Sequence, residues 1–247
     1  MKAVMARSSY LDWSVVSDGY VAKALEALMT AERMADRWDG ITPQELAIHR
    51  QVLLGFVRAG MPPTLNDLKM STGQTLVDLR SSLRSLQRRD LILFEDDVIV
   101  AAYPFSATPT QHHVSLGGRR INAICAIDAL GTAAMTGHET TVQSACPECE
   151  RQIKVSINRD GLEIEAVSPK ATVIWAAVSD VNGCAAKTQC QSMLAFCCDE
   201  HLETWKRGRS AGTGFRLTPE KATQIGAAVF LPFVHSTDRP IELTPTS

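Results

Sequence analysis

The 247-residue sequence lacks both a long apolar run and an excess of charge of either sign. No stretch approaches the roughly 20 apolar residues of a membrane-spanning helix, and residues 1–14 lack the apolar core and small-residue cleavage site of a secretory signal. Lysine and arginine number 25 and aspartate and glutamate 27, which gives a net charge of −2. This balance disfavours general attraction to nucleic acid or to an anionic membrane. We therefore expect a cytoplasmic protein with no membrane and no nucleic-acid partner.

Cysteine is absent from the first half of the chain. The seven cysteines are Cys125, Cys146, Cys149, Cys184, Cys190, Cys197 and Cys198. In a cytoplasmic protein, an odd number of clustered cysteines indicates metal-binding or catalytic thiols rather than a disulfide framework. Any chemistry that uses thiols is therefore expected in the second half of the chain.

The first hundred residues have the pattern of several helices followed by a hairpin. Asp18 is placed to cap a helix over residues 20–38, and residues 42–45, TPQE, combine a capping box with a proline in the first turn. Apolar periodicity predicts further helices near residues 64–68 and 76–86, and an acidic turn at 95–97 separates two short strands. This order predicts a winged-helix-like N-terminal domain over residues 1–102.

A winged helix raises the question of DNA binding. Four arginines lie on or just after the helix that would enter the major groove, namely Arg80, Arg84, Arg88 and Arg89. The wing, however, carries Glu95, Asp96 and Asp97, which would repel phosphate. We expect a structural role for this domain, and the alternative function is a cysteine-based metal-binding or metal-sensing winged-helix protein.

The rest of the chain has the pattern of a mixed domain. Residues 103–118 are rich in Pro, Ser, Thr and Gly and are predicted to form a connector. Strands predicted over residues 140–144, 153–157, 162–167 and 173–177 suggest an antiparallel meander, and helical segments follow over 193–205 and 218–230. The predicted fold class is α+β, with a winged-helix-like helical domain followed by a mixed domain over residues 119–234. The mixed domain has an antiparallel sheet and flanking helices, and residues 235–247 are predicted to form a loosely held tail.

The segment from Ile124 to Asp128 combines a thiol with a carboxylate. Cys125 and Asp128 are three residues apart on a predicted helix and would share one face. A thiolate is a soft metal ligand, whereas a carboxylate can take up and release a proton. The alternative is a small core cysteine and a carboxylate at the edge of a buried face. As a functional pair, the two residues indicate proton chemistry at a soft, thiophilic atom.

Two motifs resemble the active-site signature of the organomercurial lyases, also called alkylmercury lyases. They are residues 120–130, RINAICAIDAL, and residues 195–201, AFCCDEH, and the resemblance covers about the last two thirds of the chain. It implies a catalytic domain over residues 119–234 that cleaves the carbon–mercury bond of organomercurials by protonolysis. It also implies that Cys125 and Cys197 bind mercury, with Asp128 as proton relay and further ligand of the Hg product. Cys198 is interpreted either as an accessory thiol in the handover of the product or as a buried, inert cysteine.

The same resemblance implies that no organic cofactor is required. A hydrocarbon is released, Hg(II) remains on two thiolates as the bound product, and the ion then passes to cellular thiols or to mercuric reductase. The winged-helix-like region is implied to be structural rather than DNA-reading.

Cys146 and Cys149 have the C-x-x-C spacing of half a zinc ribbon. The other two ligands could be Cys184 and Cys190, or they could be the cysteine pair at 197–198. A structural zinc at Cys146 and Cys149 is the less favoured interpretation, and Cys149 is a departure from the family, whose members often have one cysteine near position 146. Cys184 and Cys190 are interpreted as extra soft ligands or bystanders.

Overall fold

The computed structural model describes residues 10–31, 37–179, 183–208 and 212–235. The predicted tail beyond residue 235 and the middle of the predicted helix over 20–38, at residues 32–36, lie outside the described residues. The described part has helices and antiparallel sheets, so the fold class is α+β as predicted. No helix in these ranges is both long and apolar enough to cross a bilayer.

The N-terminal helices begin where their capping residues predict, and the helix predicted over 64–68 extends to Thr72. They are α1 (Gly19–Ala31), α2 (Pro43–Ala59), α3 (Leu65–Thr72) and α4 (Leu76–Arg88). Asp18 accepts a hydrogen bond of 2.8 Å from the N–H of Val21, and Thr42 and Glu45 form the predicted capping box. Gly60 ends α2 in the left-handed region, at φ 76°. Local hydrogen bonding therefore explains these helix boundaries.

Among the described residues, eight strands form one antiparallel sheet in the order β1-β2-β3-β5-β4-β6-β7-β8. The strands are β1 (Ile92–Glu95), β2 (Val98–Ala102), β3 (Phe105–Ser106), β4 (His112–Leu116), β5 (Arg119–Ala123), β6 (Thr140–Ala145), β7 (Gln152–Ile157) and β8 (Ile164–Ser168). The predicted hairpin is β1–β2, and Arg80 on α4 pairs with Asp97 in its turn at 2.7 Å. The hairpin is thus continuous with the sheet of the second half of the chain.

The segment predicted to be a connector, residues 103–118, contributes two strands to this sheet. β3 pairs with β2 and β5, and β4 pairs with β5 and β6. The prolines and glycines of this segment therefore lie in turns between strands. The division at residue 102 and the winged-helix interpretation stay predictions.

The predicted four-stranded meander is wrong at its last strand. β6, β7 and β8 follow one another as expected, but β9 (Val173–Val178) lies between β10 (Leu194–Phe196) and β11 (Thr213–Leu217) in a second, three-stranded sheet. β8 is largely exposed at a sheet edge, whereas residues 173–177 of β9 are all buried. β9 is the central strand of that sheet, with β10 and β11 paired to its two edges, and its faces are buried by packed elements such as α1.

The helical segment predicted over residues 193–205 divides into a strand and a helix. Residues 194–196 form β10, and the helix α6 (Asp199–Gly208) begins after it. Cys197 and Cys198 therefore lie in the turn between strand and helix. This placement decides which side chains Cys197 meets.

Two helices cross at the centre of the second half of the chain. α5 (Ala126–Thr136) is buried along its whole length and packs against α7 (Pro219–His235). A Cβ atom on Gly131 would lie 2.5 Å from a ring carbon of Phe230, and one on Gly226 would lie 2.7 Å from the Cα of Gly131. Only glycine permits this backbone approach, which fixes the position of α5.

Candidate functional site

Cys125 lies between β5 and α5 and caps the helix. Its backbone is extended, and its Sγ accepts a hydrogen bond of 3.4 Å from the N–H of Asp128. The sequence predicts that helix periodicity aligns these two residues, whereas in the structure the capping contact brings them together. Both side chains are buried at the N-terminal end of α5, where the helix dipole favours negative charge.

Cys190 is the third member of this group. It lies on a short 3₁₀ turn, Gln189–Ser192, and the turn is attached to α5 because the N–H of Ala126 donates to the carbonyl of Met193 at 3.0 Å. The sulfur of Met193 is 3.7 Å from the sulfur of Cys125. One ligand atom from each of Cys125, Asp128 and Cys190 lies within 4.8 Å of the others. The structure therefore brings two thiols and one carboxylate together.

The structure does not group Cys197 with Cys125, although the sequence predicts it as the second sulfur there. The sulfur of Cys197 lies 3.7 Å from that of Cys149 and 3.1 Å from Nδ1 of His201. Cys197 follows β10 at the strand-to-helix turn, and this turn faces a different group of ligands. Cys198 belongs to neither group, and its sulfur is 4.0 Å from that of Cys197.

The sequence did not predict the positions of two residues, for different reasons. Cys190 was interpreted as an extra soft ligand or a bystander, and only the docking of the 3₁₀ turn places it beside Cys125. His201 had a usable signal that was not used, because Cys197 and His201 have a C-x₃-H spacing that places both on one side of a helix start. The sequence therefore contained a hint of the second group, but not the position of the first group's third member.

Burial sets the protonation of the Cys125 thiol. Loss of solvent raises its pKa to about 12, a hydrogen bond with Cys190 opposes the rise, and the nearby Asp128 carboxylate adds to it. In the free protein Cys125 is therefore a thiol at neutral pH. Binding of a soft metal by this sulfur requires a group that takes up its proton.

The second group has a different electrostatic environment. Burial raises the pKa of the Cys146 thiol, but N–H groups of Cys197, Glu148 and Cys149, together with the His201 ring, bring it down to about 7. Backbone donors aimed at a sulfur stabilise its thiolate form. This environment suits a metal ligand.

The first group borders a small, partly open cavity of about 30 Å³. Part of its wall comes from the N-terminal helices, through Leu28, Met29 and His49. Cys190 also borders a surface groove of about 630 Å³, so it lies between the cavity and the outside. The lining of the cavity is mainly apolar, which suits an organic group more than a charged one.

A buried ion pair anchors the chain that leads to Cys190. Arg37 and Asp90 are 2.6 Å apart with side chains 5% and 12% exposed. The carboxylate of Asp90 accepts hydrogen bonds from the N–H of Ala185 at 2.9 Å and from the hydroxyl of Tyr103 at 3.2 Å. Because the pair is buried and the Asp90 carboxylate also accepts these two hydrogen bonds, it positions the segment before Cys190 against the N-terminal helices.

Comparison with known proteins gives consistent matches. The alkylmercury lyase family model matches residues 105–231. The alkylmercury lyase of Bacillus cereus is 24% identical over 174 residues, which cover 70% of this chain and 77% of the relative, and that of Staphylococcus epidermidis is 22% identical over 153 residues, covering 62% and 68%.

A solved structure agrees in fold as well. The crystal structure of the mercury-bound form of MerB2 has a TM-score of 0.67 and 25% identity, and the match covers 87% of this chain and 100% of that one. The family model spans more than half of the chain, and it includes the thiols and the carboxylate gathered at the start of α5. The chain therefore belongs to the alkylmercury lyase family, whose reaction is the cleavage of a carbon–mercury bond, as the two motifs predicted.

Proposed function

We propose that this protein cleaves the carbon–mercury bond of organomercurials by protonolysis at Cys125, Asp128 and Cys190. The observation that supports the proposal is the buried group of two thiols and one carboxylate, whose ligand atoms lie within 4.8 Å of one another. Thiols select a soft metal, and a carboxylate at that distance is a proton carrier. The assignment keeps two of the residues that the sequence indicates and replaces Cys197 with Cys190.

The first step is capture of the substrate from a soluble thiol adduct. Cys190 borders both the surface groove and the cavity, so we assign it the first exchange. Its sulfur bonds to mercury, the bond from mercury to the soluble thiolate breaks, and that thiolate leaves with the proton of Cys190. The organic group then enters the apolar cavity, whose lining side chains must move apart because the cavity is only about 30 Å³.

The second step engages the buried sulfur. The pKa of Cys125 is raised by burial, so its proton must go to a nearby base before the sulfur can bind mercury. The carboxylate of Asp128 takes this proton, and the N-terminal end of α5 stabilises the thiolate that forms. Mercury is then bound by two sulfurs and by the carbon of the organic group.

The third step is protonation of carbon. Two thiolates donate electron density to mercury, which strengthens the carbanion character of the bound carbon. Asp128 delivers its proton to that carbon while the electron pair of the carbon–mercury bond forms the new C–H bond. The hydrocarbon leaves, the carboxylate of Asp128 is restored, and Hg(II) stays on Cys125 and Cys190. The mercury-bound form of MerB2, which shares the fold, supports a bound mercury product.

Release of the product completes the proposal. All seven cysteines are free thiols, and we place the exchange in the cytoplasm, where soluble thiols are kept reduced. Exchange with cellular thiols would remove Hg(II) through Cys190, which faces the groove, and mercuric reductase is the proposed next acceptor. No organic cofactor takes part in any of these steps.

The test is incubation with phenylmercury and excess soluble thiol, with benzene release and the mercury adduct measured together. Asp128→Asn keeps both sulfurs and the side-chain shape, so it should still capture phenylmercury. It should release benzene about 10²- to 10⁴-fold more slowly, the usual contribution of a general acid. Capture by the unsubstituted protein without benzene release would instead favour a thiol-based metal-binding protein. If Asp128→Asn releases benzene at the same rate as the unsubstituted protein, Asp128 is not the proton donor.

A further inference from the structure

A second group of soft ligands lies outside the proposed active site. It consists of Cys146, Cys149, Cys197 and His201, and one ligand atom from each lies within 4.8 Å of all the others. Cys149 is exposed, whereas Cys146 and Cys197 are buried. The proposed reaction uses none of these four side chains, so their convergence calls for a separate explanation.

The distances in this group fit a tetrahedral metal ion. With Zn–S bonds of about 2.3 Å and a Zn–N bond of about 2.0 Å, tetrahedral geometry separates two sulfurs by about 3.8 Å and a sulfur from a nitrogen by about 3.5 Å. The sulfurs of Cys149 and Cys197 are 3.7 Å apart, and Nδ1 of His201 is 3.5 Å from the sulfur of Cys146. The third measured edge, from Cys197 to His201, is 3.1 Å and needs only a small expansion.

A disulfide does not account for the group. A sulfur–sulfur bond is about 2.05 Å long, much shorter than the 3.7 Å between Cys149 and Cys197. All the cysteines are free, and the histidine would have no role in a disulfide. Three thiols and one imidazole, with the ligand-to-ligand distances of a tetrahedral complex, form a metal-coordination site.

The chain builds the group from two local motifs. Cys146 and Cys149 lie in the turn between β6 and β7, where the N–H of Glu150 donates to the carbonyl of Cys146 at 2.9 Å. Glu150 has a φ of 59°, a left-handed conformation that is uncommon for a residue other than glycine. This turn presents both sulfurs on one side, and the C-x₃-H motif at the start of α6 supplies the other two ligands.

We infer that Cys146, Cys149, Cys197 and His201 bind a structural Zn²⁺ ion. Three cysteines and one histidine form a common closed zinc site, with C-x-x-C as the usual first half. The four protein ligands complete a tetrahedron and leave no open position for a substrate, in contrast to the two-thiol group at α5. The ion would join the β6–β7 turn of the large sheet to the segment in which β10 of the second sheet leads into α6.

The inference is tested by the metal content of the full-length protein purified without chelators. Elemental analysis should find about one zinc per chain in the unsubstituted protein, as expected for a closed structural site. Cys149→Ser and His201→Ala should lose most of this zinc. Cys149 is exposed, so its substitution should leave the core intact, which circular dichroism checks. Co²⁺ exchanged into the site should show thiolate-to-cobalt charge transfer that the same variants abolish.

Matched cysteine variants separate this site from the proposed active site. Cys198→Ser and Cys184→Ser change thiols outside both groups, and Cys190→Ser changes the active-site group, so all three should keep the full zinc content. The inference is overturned if the unsubstituted protein binds neither zinc nor Co²⁺ in tetrahedral form. It is equally overturned if Cys149→Ser retains a full equivalent, or if Cys190→Ser is the variant that loses zinc. None of these measurements depends on benzene release.

Discussion

Gly226→Ala perturbs the helix crossing that positions the proposed active site. The new Cβ would lie 2.7 Å from both the Cα and the nitrogen of Gly131, and 2.9 Å from the carbonyl oxygen of Ile127. These are backbone atoms, so no flexible side chain can turn away. Ordinary contacts begin at 3.4 Å, so α5 and α7 must separate by about 0.7 Å.

This separation should reduce both stability and activity. Overpacking of a rigid core costs about 1–3 kcal/mol, which in a chain of this size lowers the Tm by about 3 °C per kcal/mol. α5 carries Cys125 and Asp128, whereas Cys190 is on a separate turn, so the shift changes the distance between the sulfurs. A displacement near 1 Å can cost about 100-fold in rate, and we expect benzene release to fall by about tenfold or more.

The assay pairs thermal unfolding with single-turnover benzene release measured well below the Tm. Gly19→Ala is the matched control, because it lies at the start of α1 and its Cβ would have no atom within 4 Å. It should unfold and react like the unsubstituted protein. If Gly226→Ala matches Gly19→Ala in both Tm and rate, the crossing of α5 and α7 does not constrain the geometry of the site.

Four further substitutions probe the thiols, the buried ion pair and a buried histidine. Cys190→Ser should abolish benzene release and keep the Zn²⁺, whereas Cys197→Ser should lose the Zn²⁺ and still release benzene from its folded fraction; the reverse result would restore Cys197 as the catalytic thiol. Asp90→Ala removes the carboxylate that neutralises buried Arg37 and should cost about 3–5 kcal/mol in urea unfolding, and a loss below about 1 kcal/mol would contradict this. Burial lowers the pKa of His112 from 6.5 to about 4, so its neutral form is favoured in the folded state. Stability is therefore retained above pH 6.5 and lost as the pH falls toward 4, by about 2 kcal/mol between pH 7 and pH 5 for this residue. His112→Asn should show a correspondingly flatter pH dependence of urea unfolding, and an unchanged slope would refute the assignment.

The sequence by itself determined the features that depend on neighbouring residues. The helix boundaries at Thr42 and Gly60 follow from hydrogen bonds within one turn, so their residue types were sufficient to predict them. The pairing of Cys125 with Asp128 is also local, because an N-cap contact spans three residues. The family was recognisable for the same reason, since its first motif surrounds this cap.

Only the tertiary structure decided which distant cysteine joins that pair. Cys190 and Cys197 are seven residues apart, and nothing in the intervening sequence shows which of the two joins Cys125 and Asp128. The outcome depends on β10 pairing with β9 and on Met193 docking against the start of α5, which turn the two sulfurs toward different groups. The sheet change at β9 has the same origin, because burial on both faces is a property of the assembled layers and not of the strand alone.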